Sequence, residues 1–430
     1  MTKVAEKEKT YSDYYSLAQV ADILSVSKET LRRWDNNGTM VAERCPENNY
    51  RVYHRSQLEL FESAQSLFTG KWDEELKIKP MRPYKLIELF AGTGGLAIGL
   101  EKAGFKSVLL NEIDKHACNT LRKNRPDWNV VEGDISQIDF TPYHGKIDIL
   151  TGGFPCQAFS YAGNKRGFED TRGTLFFEFA RAVKETKPKV ILAENVRGLL
   201  KHDNGQTLET MKRTIDELGY QLVEPRVLKA MFYQVPQKRE RLLLVGIRKD
   251  LAEFAKFKWP SPYQRIMALK DALKKGELYD SDVPVSEGQK YPEKKKKVLD
   301  LIPQGGYWRD LPEKLQKEYM MKSYYLGGGK TGMARRLSWE EPSLTLTCAP
   351  AQKQTERCHP EETRPLTVRE YARIQTFPDD WEFAGPITSQ YKQIGNAVPV
   401  NLAYAMGRAL VRLLNDIELI QAPSTRKIHH

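Results

Sequence analysis

The chain has 430 residues, 40% hydrophobic and 29% charged, which describes a globular protein of more than one domain, since single cores rarely grow past about 250–300 residues. No apolar run approaches the roughly 18 residues that span a bilayer, the start from Met1 to Lys9 is polar, and five cysteines (Cys45, Cys118, Cys156, Cys348, Cys358) never stand as C-x-x-C, so a cytoplasmic protein with no disulfide framework, no membrane partner and no metal site is expected. The net charge of +11 is confined to one stretch, because residues 226–340 hold 25 Lys+Arg against 14 Asp+Glu while the rest holds 42 against 42, and clustered cations suit a polyanion.

In chain order, a small helical module comes first. Ser16-Leu-Ala-Gln19 is a capping box opening an amphipathic helix through Leu24. Ser27 caps a second helix through Trp34, and Asn36-Asn-Gly38 stops it. Tyr50 to Tyr53 reads as one arm of a β-wing, and a single helix is expected from Ser56 to about Phe68. The segment resembles the winged helix-turn-helix of MerR-type regulators and excisionases, with Lys28, Arg32 and Arg33 on the recognition helix as DNA contacts. Residues 1–80 carry 12 basic and 13 acidic side chains, so the module as a whole is not basic.

After a linker over residues 71–83, strands alternate with helices. Tyr84 to Phe90 is an apolar strand, Ala91-Gly-Thr-Gly-Gly95 a tight turn, and Leu96 to Ala103 a helix. Further strands over residues 107–110, 130–131, 147–150, 190–193 and 242–247 predict an α/β, mainly parallel, doubly wound sheet, with its ligand at the carboxyl ends of the strands. Glu112 ends the second strand where a ribose diol would be gripped, and Asp134 ends the third where an adenine amino group would be met. From Lys249 the rhythm is lost, and it returns in a helix expected from Arg364 to Arg373 and a last one opened by Gly395-Asn-Ala-Val-Pro399.

Cys156 sits on the loop Gly152-Gly-Phe-Pro-Cys-Gln-Ala-Phe-Ser160 after a strand, a nucleophile's position. Cytosine C5 becomes nucleophilic once a thiolate adds at C6, provided an acid meets the charge developing at N3. Glu194 ends the next strand and supplies that acid. Arg239 and Arg241, in Gln237-Lys-Arg-Glu-Arg241, reach the same edge, one to bond O2 of the base and the other to lower the thiol pKa or hold Glu194.

From about residue 84 to residue 410 these motifs resemble the bacterial DNA (cytosine-5)-methyltransferases of restriction-modification systems. The resemblance implies a Rossmann-like core using S-adenosylmethionine. Its contacts would be Phe90, Gly92, Gly94, Gly95, Glu112, Ile113, Asp134, Ile135, Pro155 and Asn396, with Ile113 standing where many members have Trp. Cys156, Glu194, Arg239 and Arg241 would be catalytic, and Gln157, Ser160, Lys165, Arg166 and Arg172, on the nucleophile loop and a closing loop after it, would meet DNA. The implied domains are a helix-turn-helix over 1–70, the linker 71–83, a catalytic core over 84–248 and 364–430, and a target-recognition domain over 249–363. Partners would be double-stranded DNA and, functionally, a cognate endonuclease, with one copy sufficient for catalysis. A tRNA-acting relative and a repressor using the core only to sense or dimerise are the rival readings. For the N-terminal module, transcriptional regulation and added DNA affinity both stay open.

Overall fold

A computed structural model of the chain describes residues 13–46, 49–155 and 175–421. It forms two compact units. The first holds the chain up to Trp72 together with Ser261–Ile266, and the second holds Asp73–Pro260 with the chain from Met267 onward.

In the first unit, strands β1 (Tyr14–Ser16), β2 (Glu43–Arg44) and β3 (Arg51–His54) make an antiparallel sheet in the order β1-β3-β2. Ser16 and Gln19 cap the helix Leu17–Leu24 reciprocally, and Ser27 caps Lys28–Asn36. Val20, Ile23, Leu24, Leu31 and Tyr53 are buried between them. The expected helix over residues 56–68 is instead two, Arg55–Leu58 and Glu62–Phe68. Phe61 breaks it by taking an extended backbone while its ring stacks on Trp34 at 5.6 Å. Nor is residue 71 the start of a loose linker. The Lys71 amide donates to Ser261 Oγ at 3.0 Å, and buried Trp72 packs on Tyr263 with ring centroids 5.2 Å apart. Residues 261–266, read from composition as part of a recognition domain, are thereby packed into the first unit.

The second unit is built on a sheet of β4 (Tyr84–Leu89), β5 (Phe105–Glu112), β6 (Val130–Glu132), β7 (Ile149–Gly152), β8 (Val190–Val196), β9 (Tyr220–Leu222), β10 (Arg226–Lys229) and β12 (Glu240–Arg248). Its order is β10-β12-β8-β7-β4-β5-β6, with β9 also paired to β12. Strands β4 to β8 pair in parallel and β12 runs antiparallel to β8. The chain runs from β4 outward through β5 to β6 and then crosses back to β7 on the other side of β4, so the crevice expected of a doubly wound sheet lies at the carboxyl end of β4. A separate short parallel pair joins β11 (Gln237–Lys238) to β13 (Ser343–Leu344). Apart from β13, residues 267–363 carry only short helices, among them Glu293–Leu299 and Glu313–Met320, around buried Tyr291, Trp308, Leu311 and Met320.

Two terminal helices depart from expectation. The helix near residue 364 begins only at Val368, because Thr367 and Glu370 form its capping box and Arg364 is spent on Glu362 and Glu370. The Gly395 to Pro399 segment does not open the last helix but separates two, Ile387–Asn396 and Val400–Gln421. Pro399 lacks an amide donor and drives the residue before it out of the helical region. This break lies against the Gly turn: a Cβ on Gly95 would come within 2.2 Å of the Val398 carbonyl oxygen. No helix among the described residues is long and apolar enough to cross a membrane.

Candidate active site

Because β4 to β8 are parallel, their carboxyl ends share one edge, and the antiparallel β12 brings its amino end, with Arg241 opposite Val196, to the same edge. At the end of β4, Phe90, Gly92 and Gly94 all take positive φ (+58°, +55° and +87°), curling the turn over the β5 end. That conformation is costly for a phenylalanine and is retained at ligand sites when neighbours fix it. Here the Ala91 amide donates to the Asn111 carbonyl at 2.9 Å, and the Gly92 amide donates to Glu112 Oε2 at 2.7 Å.

Glu112 Oε1 accepts from the Ile113 and Asp114 amides at 2.9 and 2.8 Å. Among the described residues its Oε2 has only the Gly92 donor, which leaves a lone pair for a ribose hydroxyl. Ile113 beside it is 70% exposed, an apolar face without protein cover. Asp134 caps the turn Ile135–Gln137 by accepting from the Ser136 amide at 2.9 Å, a bond that holds its exposed carboxyl below the usual range, and Ile135 is buried. One residue escaped the motif reading. Glu88, inside β4, is buried, its Oε2 has no hydrogen-bond partner among the described residues, and burial first, then the charge of Glu112, push its carboxyl well above the usual range. A lone acid among the apolar residues that follow Lys85 in the strand was the available signal. An unpartnered buried carboxyl, a spare Glu112 lone pair and a bare apolar side chain fit a cationic, ribose-bearing, adenine-bearing ligand.

On the other side of β4, β7 leads through Gly153, buried Phe154 and exposed Pro155 to the end of the described segment. Cys156, Gln157, Ser160, Lys165, Arg166 and Arg172 lie outside the described residues. What the structure gives is their support. Asn195 Nδ2 donates to the Phe154 carbonyl at 2.9 Å, while Asn195 Oδ1 accepts from the Val196 amide, so the strand carrying Glu194 grips the chain two residues before Cys156. A Cβ on Gly153 would come within 3.0 Å of Glu194 Oε2, which places that carboxyl directly beside the loop.

The two arginines diverge. Arg241, buried, forms an ion pair through Nε with Glu194, also buried, and its Nη1 donates to the Glu240 carbonyl at 2.9 Å. Arg239 is also buried but faces inward. Its Nη1 donates to the Leu346 carbonyl at 3.2 Å and its Nη2 to the Gly395 and Asn396 carbonyls at 2.9 and 3.4 Å. Burial first, then the neighbouring Arg241 charge, lower its pKa well below the usual value. Of the two arginines expected to be catalytic, Arg241 thus meets Glu194, while both terminal nitrogens of Arg239 donate to backbone carbonyls. Gln237 and Gln375 extend that internal frame, bonded to each other at 2.9 Å, with Gln375 Nε2 donating to the Ile394 carbonyl at 2.7 Å.

Asn396, exposed at the end of its helix, accepts through Oδ1 from Cys348 Sγ at 3.2 Å. In the first unit, Lys28, Arg32 and Arg33 are exposed on the helix Lys28–Asn36, with Arg32 paired to Glu29 at 2.9 Å.

Residues 84–412 match the C-5 cytosine-specific DNA methylase family, and residues 15–70 match the MerR HTH family of regulatory proteins. The chain belongs to the C-5 cytosine-specific DNA methylases. It is 72% identical over 403 residues to the Type II methyltransferase M.Eco47II of Escherichia coli, covering 94% of this chain and 96% of that relative. It is 62% identical over 403 residues to the Type II methyltransferase M.PspPI of a Psychrobacter strain, covering 94% and 97%. A crystal structure of a putative DNA modification methyltransferase encoded within an E. coli prophage superposes with a TM-score of 0.56 at 27% identity, over 77% of this chain and 99% of that one. The enzyme is thus a DNA cytosine-5 methyltransferase with a helix-turn-helix at its amino end.

Proposed function

We propose that this methyltransferase modifies cytosine in duplex DNA through Cys156, Glu194 and Arg241, and that S-adenosylmethionine is held by Phe90, Gly92, Gly94, Gly95, Glu112, Ile113, Asp134 with Ile135, Pro155 and Asn396. The observation that carries the reading is the buried Glu194–Arg241 pair beside the loop that leads to Cys156. The target base lies stacked inside a duplex, so it must be extruded before a side chain can reach C6.

The Cys156 thiolate adds to C6, and the electron pair displaced onto N3 is met by a proton from Glu194. Arg241 holds the Glu194 carboxyl in place through Nε, and its Nη2 is the group left to polarise O2 of the base. S-adenosylmethionine, when bound, would supply an electrophilic methyl for C5 of the activated ring and leave as the neutral thioether. Water then removes the C5 proton, N3 returns its proton to Glu194, and the C6–S bond breaks, returning Cys156 as thiolate. Glu88 would face the cationic end of the cofactor and Glu112 its ribose. Lys28, Arg32 and Arg33 add phosphate contacts from the first unit. The Type II naming of both relatives supports a protective role beside a cognate endonuclease.

A duplex carrying 5-fluorocytosine at the target should trap a covalent adduct in the presence of S-adenosylmethionine, because no C5 proton can leave. Denaturing gels should show it for the wild type and lose it for Cys156→Ala. An adduct that persists in Cys156→Ala would remove Cys156 from the role.

A further inference from the structure

The structure carries a second polar device at the cofactor edge, in residues that the mechanism above does not use. Gln393, on the last turn of the helix Ile387–Asn396, is buried together with Thr93 of the Gly turn and Thr120 of the helix Lys115–Asn124 that follows Glu112. Gln393 Nε2 donates to the Ala384 carbonyl at 2.8 Å. A carbonyl can only accept, so the orientation of the carboxamide is fixed and Oε1 must face the threonines. The Ala384 amide in turn donates to Thr120 Oγ1 at 2.8 Å, which leaves the Thr120 proton only one direction, towards Gln393 Oε1 at 2.7 Å. Thr93 Oγ1 donates to the same oxygen at 3.2 Å. Every donor in this chain is committed.

We infer that Thr93, Thr120 and Gln393 form a latch that sets the cofactor site's width. Gln393 stands three residues before Asn396, Thr93 stands between Gly92 and Gly94, and Thr120 lies on the helix leading out of Glu112. The latch therefore ties together the three elements on which the proposed function places the cofactor contacts Asn396, Gly92 with Gly94, and Glu112, and the inference rests on that placement. Fully satisfied buried networks hold one geometry, because every alternative leaves a polar group unpaired in low dielectric. The three residues act as positioning groups and touch the cofactor through none of these atoms.

The test is Thr93→Val and Thr120→Val, each close to isosteric and lacking the hydroxyl, with Thr93→Ser and Thr120→Ser as controls. The valine variants should raise the KM for S-adenosylmethionine about fivefold to tenfold, the worth of roughly one buried hydrogen bond, with kcat and the KM for duplex DNA within about twofold. Calorimetric binding of S-adenosylhomocysteine should weaken by a similar factor, and the serine variants should restore both. If folded valine variants, checked by circular dichroism, bind S-adenosylhomocysteine like the wild type, or if kcat falls with affinity, or if serine fails to restore it, the latch is overturned. A wild type that leaves no 5-methylcytosine in DNA would instead count against the proposed function.

Discussion

Two arginines two positions apart, Arg239 and Arg241, end in opposite surroundings, and the difference predicts opposite failures. Arg241 meets Glu194, so its loss leaves a buried carboxylate without that ion pair, at the point where the proposed mechanism protonates the base. Glu194→Gln keeps the shape and removes the acid, and kcat should fall about 10²–10⁴-fold while the urea midpoint stays near wild type. Arg239→Met should do the reverse in part, lowering unfolding free energy by about 2–5 kcal/mol because three carbonyls lose a charged donor and the break at Gly395 and Asn396 loosens. Equal losses of stability in both variants, measured by urea unfolding, would refute this division. The motif Gln-x-Arg-x-Arg shows that two cations reach one edge. It does not show which faces the crevice, because residues two apart on one strand would share a face, and only the break in the chain at Arg239, between β11 and β12, turns the two side chains apart. Glu88 was missed for a related reason: its neighbours mark it as core, and only burial without a partner marks it as poised for a ligand.

At the scale of elements, the last helix is fixed at both ends. Near its amino end it packs on Gly99, where a Cβ would come within 2.5 Å of the Val400 carbonyl oxygen, and near its carboxyl end Glu418 joins Arg82 at 2.8 Å and Lys189 at 2.5 Å, with Asp148 bonded to the same Arg82. The hydrogen bond from Arg82 is the main reason, and that from Lys189 a further one, that the Glu418 carboxyl is pulled down to about 2. The folded value lies below the unfolded one, so the cluster's contribution is full above the ordinary carboxyl range near 4.5 and is lost as pH falls from there towards 2. Glu418→Gln should cost about 1–3 kcal/mol at pH 6. The gap between it and the wild type in urea unfolding should narrow steadily below pH 4.5. A gap independent of pH would mean that Glu418 acts by packing alone. Nothing in the sequence announces this cluster, since its four members stand at positions 82, 148, 189 and 418.

Over the whole molecule, the basic surplus of residues 226–340 is not a single surface. Arg239, Arg336 and Lys295 are spent internally, Arg336 on the carbonyls of Leu299, Ile302 and His359 and Lys295 on Glu356 and the Ala351 carbonyl. Lys294, Lys296 and Lys297, on the helix Glu293–Leu299, are exposed and remain available for phosphate. Reversing those three to Glu should lower the slope of log affinity for duplex DNA against log salt by about 0.9 for each phosphate that is no longer neutralised. Replacing Lys28, Arg32 and Arg33 with Ala should change the slope less, since that helix belongs to a module without net positive charge. Fluorescence anisotropy across a salt series reads both, and equal slopes for the two triple variants would place the charge-dependent binding surface elsewhere. Substitution is the right comparison here. Deleting the first 75 residues would also strip Trp72 from Tyr263 and expose the segment Ser261–Ile266.

The amino-acid sequence by itself determined the reaction class, the alternating architecture and the edge where the chemistry gathers. Those depend on local signals: capping boxes, a glycine turn between strand and helix, and short motifs at strand ends. Tertiary structure alone decided which of two neighbouring arginines holds Glu194, that a six-residue segment far along the chain completes the amino-terminal unit, and that Thr93, Thr120 and Gln393 share one buried hydrogen-bond chain. Each of these joins residues distant in sequence, or depends on a break between two strands that the motif does not reveal. Burial and the demand that every buried polar group find a partner settle such choices, and both exist only once the chain has folded.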